Sequence, residues 1–326
     1  MDQGVSRLGK VVLLGGSGQI GQTLARYFHG RGVEVTSVSR TPQPAPWVTV
    51  AWDGKTVGRW TKCLEGADAV INLAGSSINT RFTREHRSLI LDSRLDATRA
   101  TAEAIRSRRR PPRVWLNASA VDIYPHSLAP TPESTISGYQ DTGAMDSTTP
   151  ESWRFLSEVV WRWEETFRTE QVPGTRKVAL RTTLMLSPDH GGVFRLLSTL
   201  ARFGLGGPQG SGEQFISWMH HADYARAVEF LIGRDNIAGP VNITSPQPLA
   251  NREFMRLLRQ AVRMPIGLPA PAFGIQLSSL LLRTEPVLVL KSRCSVPTVL
   301  QQHGFTWSFP DWPGAVQDLV LRALND

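Results

Sequence analysis

The sequence predicts an α/β fold, a doubly wound parallel sheet followed by a smaller C-terminal α+β lobe. Three observations predict it. Short apolar runs alternate with helical periodicities over roughly the first 185 residues, a glycine-rich turn joins the first run to the first helix, and beyond residue 185 the alternation gives way to Gly-, Pro- and Trp-rich sequence.

The elements follow in order. Val11-Val12-Leu13-Leu14 reads as a buried parallel strand because it is apolar throughout and ends in glycines. Residues 19–30 form a helix, with Ile20, Leu24, Tyr27 and Phe28 on one face. Val33 to Val38 alternates as a second strand, and Asp68 to Leu73 is another, closing on Ala74-Gly75. A long helix over 83–108 leads to the strand Arg113 to Asn117, which ends in Ala118-Ser119-Ala120. Residues 125–150 are rich in Pro, Ser and Thr and read as loop. A helix over 152–169 feeds the strand Lys177 to Arg181, and further helices are expected over 251–263, 271–283 and 311–323. The domain reading is therefore 1–185 for the sheet domain, which can also recruit later strands, and 186–326 for a substrate-side lobe and tail.

Composition narrows the class. With 41% hydrophobic and 20% charged residues the chain is an ordinary packed protein. The longest apolar stretches, such as Val11–Leu14 and Val287–Leu290, are too short to span a bilayer, and Met1–Lys10 lacks the apolar core of a secretory signal. Cys63 and Cys294 stand alone, which fits a reducing, cytoplasmic compartment and neither a disulfide framework nor a zinc motif. No metal and no membrane partner are expected. The net charge of +8 suits an anionic ligand. The run Arg106 to Arg113 reads as a solvated helix end rather than a nucleic-acid contact, since no aromatic residues interleave its arginines.

The strongest chemical signal is Gly15-Gly16-Ser17-Gly18-Gln19-Ile20-Gly21, between the first strand and the first helix. The first glycine permits a tight turn, Gly18 lets backbone approach a pyrophosphate, and Gly21 lets the helix pack on the strand. The helix N-terminus offers unpaired N–H groups to the anion. This is the signature of a Rossmann dinucleotide site. The second strand then ends in Ser39-Arg40, where an NAD site would carry an acidic residue for the ribose hydroxyl. A guanidinium matches a 2′-phosphate in charge and shape, so the expected cofactor is NADP(H).

Four segments in order resemble the extended short-chain dehydrogenase/reductases: the glycine turn, Asp68 to Gly75, the strand ending Asn117-Ala118-Ser119-Ala120, and His220-His221-Ala222-Asp223. Trp52-Asp53, Asp92-Ser93-Arg94, Trp163-Glu164, the run Gly204 to Gly212 and the tail from Glu285 to Trp312 narrow the resemblance. They are similar to an atypical branch, the epimerase family proteins with a C-terminal domain of unknown function. The resemblance implies that Gly15, Ser17, Gly18, Gln19 and Ile20 hold the pyrophosphate and that Ser39 and Arg40 take the 2′-phosphate. It implies Asp53 near the adenine and Leu73, Ala74 and Gly75 along the ribose. Arg94 would reach a phosphate or ribose, and Met185 would lie near the nicotinamide.

The superfamily's catalytic pair, a Tyr with a Lys four residues on, is absent: Tyr27, Tyr124, Tyr139 and Tyr224 are followed at that spacing by Arg31, Leu128, Gly143 and Val228. Aligning Trp163-Glu164 puts Leu156 and Val160 in the two places. Ser119 takes the position of the substrate-polarising serine, or is simply a small residue at a strand end. Tyr124 is either a replacement acid or a wall of the pocket. Asp223 is expected to cap a helix, and the tryptophans to serve packing. Two functional readings stay open: an oxidoreductase or epimerase acting on an unidentified small molecule with a non-standard proton donor, and a protein that holds NADP(H) without turnover as a sensor or scaffold. By analogy with the superfamily, helices 83–108 and 152–169 would meet in a homodimer.

Overall fold

The structure, a computed structural model, describes residues 8–135, 149–276 and 285–325. Its strands are β1 (Lys10–Leu14), β2 (Glu34–Ser39), β3 (Val48–Ala51), β4 (Ala69–Asn72), β5 (Val114–Ala120), β6 (Arg176–Thr182), β7 (Leu184–Leu186), β8 (Phe215–Ile216), β9 (Trp218–His220), β10 (Gly239–Ile243) and β11 (Leu249–Ala250). The helices are α1 (Gln19–Gly30), α2 (Arg84–Arg106), α3 (Glu151–Thr169), α4 (Val193–Arg202), α5 (His221–Ile232), α6 (Asn251–Ala261), α7 (Val287–Leu290), α8 (Thr298–Gln302) and α9 (Trp312–Asn325). The expected helix over 271–283 falls largely outside the described residues, of which 272–276 are helical.

Seven strands form one parallel sheet in the order β10-β6-β5-β4-β1-β2-β3. The chain runs outward from β1 to β3, then crosses back to lay β4 on the other side of β1. That reversal opens a crevice at the carboxyl ends of β1 and β4, where open α/β sheets bind their ligands.

Because side chains alternate along a strand, β1 feeds two cores. Val11 and Leu13 pack with Leu24 and Phe28 of α1 and Val228 and Leu231 of α5. Val12 and Leu14 pack with Ala97 and Ile105 of α2 and with Trp115 and Phe167. At about 1.5–3 kcal/mol for each fully buried aliphatic side chain, these layers outweigh any single polar contact at about 0.5–1.5 kcal/mol. They hold the glycine turn at the carboxyl end of β1.

Residues beyond 185 contribute to both parts of the molecule. β10 becomes the sheet's edge strand beside β6, where Pro240 is tolerated because an edge strand need not donate on its outer side. The smaller lobe has its own core, with Phe194, Trp218, Phe254, Leu258, Trp312 and Leu319 buried together and the Trp312 ring stacked on Phe254 at 4.1 Å. The outward surfaces of α2 and α3 carry the pairs Asp96–Arg99, Glu158–Arg162 and Glu165–Arg168. Among the described residues no helix is long and apolar enough to cross a membrane.

Candidate dinucleotide site and the neighbouring β5 edge

The glycine turn is bare for two different reasons. Gly15 has φ +76°, and a Cβ there would fall 2.8 Å from the Ala74 nitrogen. A Cβ on Gly16 would lie 2.2 Å from Ser37 Oγ, and one on Gly21 2.6 Å from Gly16 Cα. These three positions are bare because the turn packs on its own protein. Gly18 differs: its Cβ would meet only the Gly15 carbonyl, at 3.5 Å. The space beside it is open, and it lies at the head of α1, which has no side-chain cap and no acidic residue in its first turn. Uncapped N–H groups facing open space are what an anion needs. Gln19 adds a buried amide nitrogen with no hydrogen-bond partner among the described residues, and it sits so close over Gly192 that a Cβ there would lie 2.3 Å from it. Ser17 is exposed at the tip, while Ile20 anchors the helix against the sheet core. The residues present therefore fit a pyrophosphate.

The turn after β4 completes the floor. Leu73 and Ala74 meet Gly15 through backbone atoms, and Asn72 Oδ1 accepts from the Ala74 N–H at 3.1 Å. Gly75 faces Arg94, whose Cγ would stand 3.2 Å from an added Cβ. Arg94 donates to the carbonyls of Ser76 and Ile90 at 3.0 and 2.7 Å, and its guanidinium lies over the Trp163 ring at 5.1 Å. Burial pulls its pKa down to about 10. No carboxylate neutralises it among the described residues, so a guanidinium bonded to carbonyls is left beside the turn.

At the tip of β2, Ser39 is buried and Arg40 exposed. Arg40 lines a cleft of about 380 Å³ with Ala51, Trp52, Asp53, Gly58, Arg59 and others. Both Trp52 and Trp60 indoles donate to the Thr56 carbonyl, at 2.8 and 3.0 Å, which fixes this wall. Asp53 accepts from the N–H groups of Lys55 and Thr56 and from the Thr56 hydroxyl, and these bonds hold its carboxyl below the usual range. Its carboxylate thus shapes the rim of the cleft. The side chains of Arg40 and Arg59 make neither hydrogen bond nor ion pair among the described residues. Apolar periodicity does not reveal Arg59, which opens a short 3-10 helix, Arg59–Leu64. Only the pairing of β3 with β2 carries it to Arg40's cleft, and β3 itself was not read.

The residues proposed for chemistry point elsewhere. Ser119 Oγ donates to Glu164, which holds Arg181 through two bonds of 2.8 Å. Arg181 Nη1 donates to the Tyr124 hydroxyl at 2.8 Å, and that hydroxyl donates to Asn242 Oδ1 at 2.8 Å. Burial opposes the charge on Arg181, but the bonds from Glu164 outweigh it and raise the pKa. Burial also raises that of Tyr124, more than Arg181 lowers it. Tyr124 is 2% exposed. In this structure the Tyr124 phenol is tied at both ends, donating to Asn242 and accepting from Arg181, which is the geometry expected of a packed wall residue. Ser119 is likewise occupied with positioning Glu164. Met185, expected near the nicotinamide, lies in the sheet core with Met219 and Tyr224.

The two places of the missing Tyr/Lys pair are filled by apolar packing. Leu156 is buried with Phe82, Ile90, Phe155 and, from the tail, Val287. Val160 is buried with Val121, Ile123 and Tyr124. The tail also brings Lys291, 2% exposed, whose Nζ donates to the Asp122 carbonyl at 2.9 Å, while Arg293 binds Asp122 Oδ1 at 2.7 Å. Burial lowers the Lys291 pKa to about 8. Between pH 8 and its ordinary value of 10.5 the unfolded chain holds this proton more often than the folded chain, so stability rises with pH across that window. The slope is at most about 1.4 kcal/mol per pH unit. Denaturant titrations at stepped pH should show this rise in the native chain and lose it in Lys291→Met; equal slopes would exclude Lys291 as the source.

Near β9, the expectation that Asp223 caps α5 is corrected. His220 is the cap, its Nδ1 accepting from the Ala222 N–H at 3.2 Å. Asp223, fully buried, accepts instead from the N–H groups of Ser308 and Phe309, tying α5 to the tail. His126 stacks on Trp153 and accepts from the Ser292 N–H, a packing role.

Residues 11–244 match the NAD dependent epimerase/dehydratase family. The chain belongs to that family. Residues 270–319 match a domain of unknown function, DUF1731. Among its relatives, Epimerase family protein SH2119 of Staphylococcus haemolyticus is 31% identical over 309 residues, covering 95% of this chain and 98% of that one. Epimerase family protein SA0724 of Staphylococcus aureus is 29% identical over 310 residues, with the same coverage. The solved human epimerase family protein SDR39U1 (isoform2) with NADPH superposes with a TM-score of 0.81 at 30% identity, over 97% of this chain and 99% of that one. A UDP-N-acetylglucosamine 4-epimerase from Bacillus cereus shares the fold, with a TM-score of 0.70 at 15% identity over 96% of this chain and 99% of that one.

Proposed function

We propose that the chain binds NADP(H) across the carboxyl ends of β1, β2 and β4, and holds it without the superfamily's Tyr/Lys proton transfer. The binding half rests on the open face of Gly18 at an uncapped helix head, with Arg40 and Arg59 sharing the cleft beyond β2. The NADPH in the human relative's structure supports the same choice of nucleotide. The α1 N–H groups and Gln19 would take the pyrophosphate, Arg40 and Arg59 the 2′-phosphate, and Arg94 a ribose or phosphate oxygen. A bound nicotinamide supplies hydride exchange. The chain's own residues bind and orient the nucleotide and, at β5, spend their titratable groups on packing.

The observation that carries the second half is the sealing of Leu156, Val160 and Tyr124 among apolar neighbours. Tyr124→Phe separates this reading from an oxidoreductase or epimerase that uses Tyr124 on a small-molecule substrate. It should cost about 1–3 kcal/mol of stability, since Asn242 and Arg181 each lose a buried partner. NADPH affinity, and any NADPH oxidation with a panel of carbonyl compounds, should not change. Turnover in the native chain that collapses in Tyr124→Phe, with the variant folded, would restore the enzymatic role of that phenol.

A further inference from the structure

The smaller lobe gathers large apolar side chains in solvent from two segments that lie far apart in the chain. Leu196 stands on the exposed face of α4, and Phe203, just past that helix and two turns on, continues the same face. The chain then runs beside residues 266–270. The Leu268 N–H donates to the Gly204 carbonyl and the Gly207 N–H to the Leu268 carbonyl, which sets Leu268 beside Leu205. A Cβ on Gly204 would lie 3.7 Å from Ile266, so that side chain joins them. The Ala270 N–H donates to the Pro208 carbonyl, and Phe273 follows. All six apolar side chains are exposed, and the rings of Phe203 and Phe273 reach 77% and 73%. Apolar side chains exposed singly are ordinary, whereas a contiguous group marks a contact surface. Rings so exposed protrude and do not line a groove.

We infer that this face docks on an anionic membrane surface, with Phe203 and Phe273 entering the headgroup region and arginines meeting lipid phosphate. The charge around the patch is of one sign. Residues 190–212 and 254–276 contain arginines but neither Asp nor Glu. The nearest carboxylates, Glu213 and Glu253, are already paired with Arg252 and Arg256. Arg202 ends α4 next to Phe203, and Arg263 follows α6 three residues before Ile266. Their side chains make neither hydrogen bond nor ion pair among the described residues. Arg263 also has φ +59°, the left-handed conformation just past a helix end that glycine normally supplies. An arginine held there at a cost to folding points to a use for its side chain. Aromatic and aliphatic side chains flanked by cations are the composition of an interfacial membrane contact. A second copy of this chain fits the patch poorly, because a two-fold contact would set arginines against arginines. The expectation of no membrane partner rested on the lack of a spanning stretch, and a surface assembled from two distant segments needs none. The patch acts independently of the nucleotide.

The test is co-sedimentation of the full chain with vesicles of phosphatidylcholine alone and of an equal mixture with phosphatidylglycerol. The native chain should partition onto the mixed vesicles at least about tenfold more strongly than onto the neutral ones, and added salt should weaken that binding. Phe203→Ser should lower it about tenfold and Arg202→Gln about fivefold, with NADPH affinity unchanged in both. Arg263→Gly separates docking from folding. It removes a cation and relieves a left-handed residue, so vesicle binding should fall about fivefold while the melting temperature rises. No co-sedimentation with the mixed vesicles, equal binding to both kinds, or native affinity in folded Phe203→Ser would overturn the inference. So would a chain that dimerises through Phe203 in the absence of lipid, since a second copy would then cover the patch.

Discussion

Gly18→Val should abolish NADPH binding, by at least about a hundredfold, while leaving the chain as stable as before. The two halves of this expectation have separate causes. Gly18 sits at φ −72° and ψ 166°, an extended conformation that any residue adopts. A Cβ there meets only the Gly15 carbonyl at 3.5 Å, an ordinary contact. Folding therefore has no reason to exclude a side chain at this position. The nucleotide does, because two γ-methyls would stand where a pyrophosphate must approach the N–H groups of α1. Gly15→Ala provides the contrast. It places a Cβ at φ +76° and 2.8 Å from the Ala74 nitrogen, so it should lower the melting temperature before any ligand is added. Calorimetric titration and thermal melts on the two variants separate the effects. Unchanged NADPH affinity in a folded Gly18→Val would mean that the open face of the turn does not receive the nucleotide.

The second large effect is on stability. Arg181 and Glu164 form a bidentate pair with side chains only 8% and 17% exposed. Removing one partner of a buried pair strands the other charge, at about 3–5 kcal/mol. Glu164→Gln keeps the shape and removes the charge, so it should cost about that much in urea or guanidinium unfolding. It should also loosen Ser119 and Tyr124, which depend on Glu164 directly and through Arg181. A double-mutant cycle with Tyr124→Phe should therefore be non-additive. A folded Glu164→Gln with native stability would show that the β5–α3 network is not held by its charges.

Much of the fold was legible because apolar periodicity is local. β1, β2, β4, β5, β6 and α1 to α3 each carry their pattern within one stretch of chain. β3 and β10 do not. β3 is a half-exposed edge strand of four residues, and β10 opens on Gly239-Pro240, which reads as a turn until β6 is found beside it. The glycine turn and Arg40 were legible for the same local reason. Arg59 was not, since its place beside Arg40 depends on β3. The loss of Tyr and Lys could be read directly, but what fills their places could not. Val287 reaches Leu156 from the C-terminal tail, and the direction of the Tyr124 phenol depends on Asn242, 118 residues away. Side-chain direction at a strand end is set by such distant partners.

The central claim is that the turn at the head of α1 and the arginine at the tip of β2 together grip a 2′-phosphorylated dinucleotide. Parallel calorimetric titrations of the native chain and Arg40→Asp with NADPH and NADH test it most directly. The expected result is tighter binding of NADPH than NADH by the native chain, with Arg40→Asp costing NADPH about ten- to a hundredfold and NADH little. No binding of either nucleotide by the folded native chain, or equal losses for both in Arg40→Asp, would contradict it.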